Sequence, residues 1–351
     1  MGERLARHFP WTTRPLIISA PMRALSGPEL AVAVSKAGGI GFIGPRTNVA
    51  DWPDALSKAK VLIEGSSDLS KSVLSNSSTT LPIGIGFQVW TDDLQAAATV
   101  VRQYKPCVVW LFAPRDGQTQ LDQWSQQVQR VSPNTQIWIQ VGSVREACDA
   151  ANSNNRPAAI VVQGTDAGGH GRAKDGLGVT TLLPEIREHI HDIPLLAAGG
   201  IVDGRGGSAA LCLGASGIVM GTRFLATPEA DIAKGYQQEI LRVSEAGVTT
   251  TRTQLYNHLR GITNWPEQWS PRTIINQSFQ DHLAGVSFEE LKVLHDNAAK
   301  SENGWGPGGR LGAYVGTGIG LIHDIKDAAT IVKGTQREIR EILKTLHECL
   351  P

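Results

Sequence analysis

Short, nearly continuous apolar runs recur along this chain, and most are followed by a longer stretch with apolar positions at helical spacing. The runs cover residues 16–22, 39–43, 83–88, 108–112, 136–141, 158–163, 195–198 and 217–220. An unbroken apolar run marks a strand buried on both faces, as in a parallel sheet. Helices are expected at 28–37, 94–104, 121–130, 144–151, 182–190, 207–213 and 230–243. In the first of these, Leu30, Val34 and Ala37 share one face and Gly38-Gly39 supplies the stop. Eight strands alternating with helices predict an α/β fold, a TIM (β/α)8 barrel ending near residue 243. A doubly wound sheet would need a switch point in strand order, and no break in the alternation supplies one.

Two stretches leave this rhythm. Residues 61–80 include a polar, Ser-rich run from 65 to 80, read as a surface loop or insertion. Residues 244–310 lack the strand–helix alternation, contain Trp265, Trp269 and Trp305, and hold one mixed helix at 287–300. The expected organisation is a barrel over 1–243, a smaller cap or substrate subdomain over 244–310, and a return over 311–351. That return would be a Gly-rich segment at 312–321 followed by a closing helix from 324 to 349.

Composition narrows the function classes. The 351 residues are 41% hydrophobic and 19% charged, enough to bury a large core without disulfide or metal staples. Lys+Arg and Asp+Glu both number 33, which argues against a nucleic-acid binder relying on a general basic field. Cys107, Cys148, Cys212 and Cys349 lie far apart with no C-x-x-C, a pattern of neither a zinc site nor a secreted disulfide framework. The N-terminus lacks the apolar segment of a signal peptide, and no apolar run approaches a membrane span. A soluble cytoplasmic protein is expected, with no membrane or nucleic-acid partner and its oligomeric state open.

In a barrel, chemistry collects where the strands end. Gly199-Gly200 follows strand seven and Gly221-Thr222 follows strand eight, where exposed backbone N–H groups and a hydroxyl could cradle a phosphate. His170 lies in the Gly-flanked segment after strand six. An imidazole with a pKa of about 6.5 could serve there as a general base, or simply pack. Asp166 either orients that ring or belongs to a turn. The three tryptophans either line a substrate pocket or pack as core and lid. His189-x-His191 reads as a solvated helix end, so no metal site is expected. Gly84-x-Gly86 lacks the rest of a dinucleotide fingerprint.

Several blocks together resemble the nitronate monooxygenase (2-nitropropane dioxygenase) family. They are Ala20-Pro21-Met22, Ser26-x-Pro28-Glu29-Leu30-Ala31, the segment 37–44, Gln163-Gly164-x-Asp166-Ala167-Gly168-Gly169-His170, the segment 197–205, and Gly214 through Phe224. They run in order from residue 15 to about 230 and return weakly at 316–321. The resemblance implies an FMN-dependent TIM barrel that oxidises alkyl nitronates with O2 to a carbonyl compound and nitrite, with neutral nitroalkanes left open as further substrates. It makes His170 the catalytic residue, on a flexible loop over the flavin. It places Ala20, Pro21 and Met22 beside the flavin ring, with Gln88 near the ring or ribityl chain. Gln163, Gly168, Gly200 and Val219, Met220, Gly221 and Thr222 would hold the ribityl phosphate region. Gln88 and Val219 stand where bacterial members commonly carry Asn and Gln. A related family of flavin-dependent enoyl-thioester reductases, which consume NAD(P)H, shares the Ala-Gly-Gly-His segment. A flavin-binding barrel without turnover is the third reading.

Overall fold

The computed structural model describes residues 5, 8–66, 69, 80–301 and 304–349. Its centre is an eight-stranded parallel sheet. The strands are β1 (Ile17–Ser19), β2 (Phe42–Ile43), β3 (Leu81–Gln88), β4 (Pro106–Phe112), β5 (Gln136–Val141) and β6 (Ala159–Gln163). A four-residue strand, β7 (Gly169–Arg172), intervenes before β8 (Leu195–Ala198) and β9 (Gly217–Met220) complete the sheet. The hydrogen-bonded order is β1-β9-β8-β6-β5-β4-β3-β2. A parallel bridge between Ile18 and Ile40 joins the two outer strands, so the sheet curls into the (β/α)8 barrel the apolar pattern predicts.

Alternation along the strands sorts side chains into two apolar layers. Ile17, Ile85, Val109, Ile139 and Met220 face outward against the helices. Ile18, Phe42, Trp110, Trp138 and Val219 fill the barrel. Inside, Phe42 meets Trp110 edge-on with ring centroids 5.2 Å apart, and Trp110 lies 6.3 Å from Trp138. Several helices start where a side chain satisfies an otherwise free N–H. Asp93 accepts from Ala96 N at 2.7 Å, Ser143 from Glu146 N at 3.2 Å, and Asp203 from Arg205 N at 2.9 Å.

Three features depart from the expected pattern. A helix, Trp52–Glu64, fills the β2–β3 connection and extends into the segment read as a loop; it buries Trp52, Ala55, Leu56, Ala59 and Ile63. Most of the Ser-rich 65–79 stretch lies outside the described residues. His170 does not sit on a free loop. It belongs to β7, which pairs antiparallel with β11 (Trp269–Ile274), which in turn pairs with β10 (Thr250–Arg252). The closing helix starts at Ala328 and packs against the helices Gly204–Cys212 and Pro28–Lys36. Gln336 Nε2 donates to the carbonyls of Thr13 and Pro15, each at 3.1 Å, tying that helix to the entry of β1. No helix among the described residues is long and apolar enough to cross a membrane.

Candidate active site

A cavity of about 900 Å³ opens where the barrel strands end. Its floor is the upper barrel core: Trp110, Phe112, Gln140, Ala198 and Val219. Ala20, Pro21 and Met22 form one wall as the chain leaves β1. Gln88, at the end of β3, accepts a hydrogen bond from Arg23 Nη1 at 2.7 Å through its side chain, and its N–H donates to Asp92 at 2.7 Å. Burial pushes the Asp92 carboxyl up to about 6, against the pull of that N–H and of Arg23.

The opposite wall carries the Gly-rich strand ends. Gly168, Gly199, Gly200, Gly221 and Thr222 all border the cavity. Gly200 has φ +69°, a left-handed backbone that suits glycine. A Cβ on Gly168 would stand 2.5 Å from the Val315 carbonyl carbon, so only glycine lets the segments 167–169 and 315–317 meet. The hydroxyl of Thr222 accepts from Gly316 N at 2.9 Å, which leaves its own proton free to donate. The N–H groups of Gly200, Gly221 and Thr222 make no hydrogen bond among the described residues. Gln163 Oε1 is buried without a partner at the end of β6, beside this rim. Free donors and an orphaned acceptor on one cavity wall are what a ribityl phosphate needs, so the residues present fit such a group. Met220 does not border the cavity: its side chain is buried in the outer layer, and its carbonyl accepts from Ala20 N at 3.0 Å.

His170 projects into the same space. Its ring stacks on Trp265 at a centroid distance of 3.6 Å and an interplanar angle of 10°. Asn257 Nδ2 lies 2.8 Å from its Nε2. Burial, with the guanidiniums of Arg260, Arg252 and Arg23, holds its pKa well below the usual 6.5. Arg260 and Arg23 border the cavity. Arg252 lies behind it, donating to the carbonyls of Thr165 and Ala167 at 3.0 and 3.1 Å and so fixing the turn that precedes β7. Burial lowers the Arg252 pKa to about 10. Arg260 crosses the Tyr314 ring at 4.9 Å.

Asp166 does not reach His170. Its Oδ2 accepts from Val179 N at 2.8 Å, a turn role that starts the helix Val179–His189. The three tryptophans divide. Trp265 and Trp305 border the cavity, Trp305 stacking near Tyr236 at 5.2 Å. Trp269 is core, 4.9 Å from Phe112. Sequence reading missed Arg23, Asn257 and Arg260 as cavity residues. Arg23 follows the Ala20-Pro21-Met22 block directly, a usable signal; Asn257 lies in the five-residue helix Leu255–Leu259 and Arg260 directly after it, with no pattern of their own.

Fold and site together define a (β/α)8 barrel with a large cavity at its strand ends. A family model described as nitronate monooxygenase matches residues 10–334. A nitronate monooxygenase of Metarhizium robertsii is 52% identical over 347 residues, spanning 98% of this chain and 96% of its own. One from Neurospora crassa is 33% identical, spanning 98% of this chain and 94% of its own. The chain belongs to the nitronate monooxygenase family and is an oxidoreductase. Among solved structures, FabK from Thermotoga maritima superposes with a TM-score of 0.75 at 24% identity over 99% of both chains. The nitroalkane oxidase of Streptomyces ansochromogenes gives 0.72 at 22% identity, over 97% of this chain and 99% of its own. At such identities these two likenesses bear on the fold alone.

Proposed function

We propose that the protein oxidises alkyl nitronates with O2, yielding a carbonyl compound and nitrite, with FMN as its resident cofactor. The observation that carries the reading is the charge around His170: burial and the guanidiniums of Arg260, Arg252 and Arg23 disfavour the protonated imidazole, and Arg260 and Arg23 stand on the cavity wall where an anion would bind. When bound, FMN would supply the redox chemistry that links the substrate carbon to O2. Gly200, Gly221 and Thr222 bind the phosphate through backbone N–H groups and a hydroxyl. Ala20, Pro21 and Met22 with Gln88 flank the ring, and Gln163 fills its vacant acceptor site on the ribityl chain.

The substrate is an anion on this reading. Arg23 and Arg260 attract and orient its nitro oxygens, and Trp265 holds His170 flat against the substrate side. Taking a proton from a neutral nitroalkane would create an imidazolium among three guanidiniums. That is unfavourable, so the pre-formed nitronate is the better substrate. Segment 244–310 acts as the cap, since it contributes Asn257, Arg260, Trp265 and Trp305 to the cavity wall.

The test is spectroscopic. Heat or acid should release intact FMN from the purified protein, and anaerobic addition of a nitronate should bleach the bound flavin, with O2 restoring the colour. Bleaching by NAD(P)H with turnover of an enoyl thioester, and none by nitronate, would establish the reductase reading instead. A flavin that neither reagent bleaches would mark a binding barrel without turnover.

A further inference from the structure

The side-chain amide of Asn257 can be oriented without ambiguity, because both of its edges meet groups with fixed roles. One edge faces Arg260 Nη2 at 3.1 Å, and a guanidinium only donates, so that atom is Oδ1. The Tyr314 hydroxyl donates to the same oxygen at 3.1 Å. The other edge lies 2.6 Å from Gln254 Oε1. Gln254 is itself fixed, since its Nε2 donates to the Trp269 carbonyl, which only accepts. The atom 2.8 Å from His170 Nε2 is therefore the Asn257 NH2 group.

An amide NH2 donates and does not accept. His170 Nε2 must carry the lone pair, and the neutral ring must carry its proton on Nδ1. With the amide reversed, its oxygen toward the ring, an imidazolium would be favoured, but Arg260 on the far edge forbids that orientation. Nδ1 makes no hydrogen bond among the described residues, and the ring it belongs to borders the cavity. The lone pair that a general base would use is occupied. The Nδ1–H is the polar group the ring has left to offer a ligand.

We propose that Asn257 is a positioning residue which, held by Arg260, Tyr314 and Gln254, fixes His170 as the Nδ1–H tautomer so that the ring meets an anionic nitronate as a hydrogen-bond donor. The proposal rests on the nitronate reading for the substrate but not for the tautomer. A hydrogen bond from Nδ1–H to a nitronate oxygen is charge-assisted, and its loss corresponds to about 10- to 100-fold in kcat/KM.

The test uses full-length protein labelled with 15N-histidine, the His170 imidazole resonances being those lost in His170→Ala. Wild type should show Nδ1–H with Nε2 unprotonated, with or without FMN. In Asn257→Asp the carboxylate accepts rather than donates. Expected are a switch of the proton to Nε2, a raised ring pKa, and kcat/KM for nitronate lower by about 10- to 100-fold at unchanged FMN content. A residue that merely supports the fold would lower FMN content or melting temperature and leave the tautomer unmoved. Wild type with the proton on Nε2 or exchanging between nitrogens, or Asn257→Asp without a tautomer change, would overturn the proposal. Should the variant fail to fold, the wild-type tautomer decides alone. A fixed Nδ1–H together with no flavin bleaching by nitronate would overturn the substrate reading and leave the positioning role standing.

Discussion

Trp265 lies flat against His170, 3.6 Å between ring centroids and 10° from parallel, so a residue nearly a hundred positions further along the chain sets the plane of the imidazole on β7. The stack fixes the ring plane and the Asn257 bond fixes its rotation, which leaves His170 one orientation in the cavity. Stacking of this kind is worth about 0.5–1.5 kcal/mol. Trp265→Ala should therefore lower kcat/KM for nitronate by roughly 10-fold, near the upper end of that range, and Trp265→Phe by less. Flavin content should hold in both. Steady-state kinetics normalised to bound flavin checks this, and unchanged kinetics in the alanine variant would show that the stack does not orient the ring.

Gly221→Val tests the phosphate cradle. Gly221 has φ −106°, and a Cβ there would meet Ala20 and Met22 only at 3.8 Å, an ordinary contact, so the variant should fold. Its branched side chain would occupy the space the phosphate needs. Flavin affinity should fall by several kcal/mol, with each lost charge-assisted hydrogen bond contributing roughly 1.5–3 kcal/mol. Fluorescence titration with FMN measures this; wild-type affinity would place the phosphate elsewhere.

Gln163→Leu should separate stability from binding. The Gln163 Oε1 is buried with no partner, a defect that costs about 1–3 kcal/mol when unsatisfied. Leucine fills nearly the same volume and carries no polar atom. The apo-protein should melt at a higher temperature than wild type, while FMN binds more weakly. Thermal melts with and without FMN read both effects, and a less stable apo variant would show that Gln163 supports the fold rather than a ligand.

Asp92→Asn carries a pH signature. The carboxyl is raised from 3.8 to about 6 in the folded protein, so the native state holds its proton more tightly than the unfolded chain. Stability from this group is complete below about 4 and is lost as pH rises through about 6. A shift of about two units corresponds to up to about 3 kcal/mol. The asparagine variant does not ionise. Its stability relative to wild type should climb between pH 4 and 6 and level off above, as measured by denaturant melts across that range. A flat difference would show that Asp92 stays ionised, neutralised by Arg23.

Much of this molecule follows from local pattern. Unbroken apolar runs dictate strands buried on both faces, and such strands need helices on one side and a packed barrel on the other. That logic predicts the eight barrel strands and most of their helices from order alone. It passes over Trp52–Glu64, although Ala55, Leu56, Ala59 and Ile63 carry the helical spacing, because the adjoining Ser-rich run masks where the element ends. The Gly-rich strand ends and Gln163 were legible for a related reason: strand ends of a barrel share one face whatever the loops do, and those residues line the cavity.

What tertiary structure alone decided is which distant side chains meet His170. Residues 169–172 read as a loop because four residues containing two glycines show no strand period; they become β7 only because β11, about a hundred residues later, offers an edge. That pairing brings Asn257, Arg260 and Trp265 to the imidazole and leaves Asp166, four residues from His170, committed to Val179. Sequence determines which groups can donate, accept or carry charge. Their partners, and with them the tautomer and pKa of a single histidine, depend on distances of about 3 Å between segments that no local periodicity links.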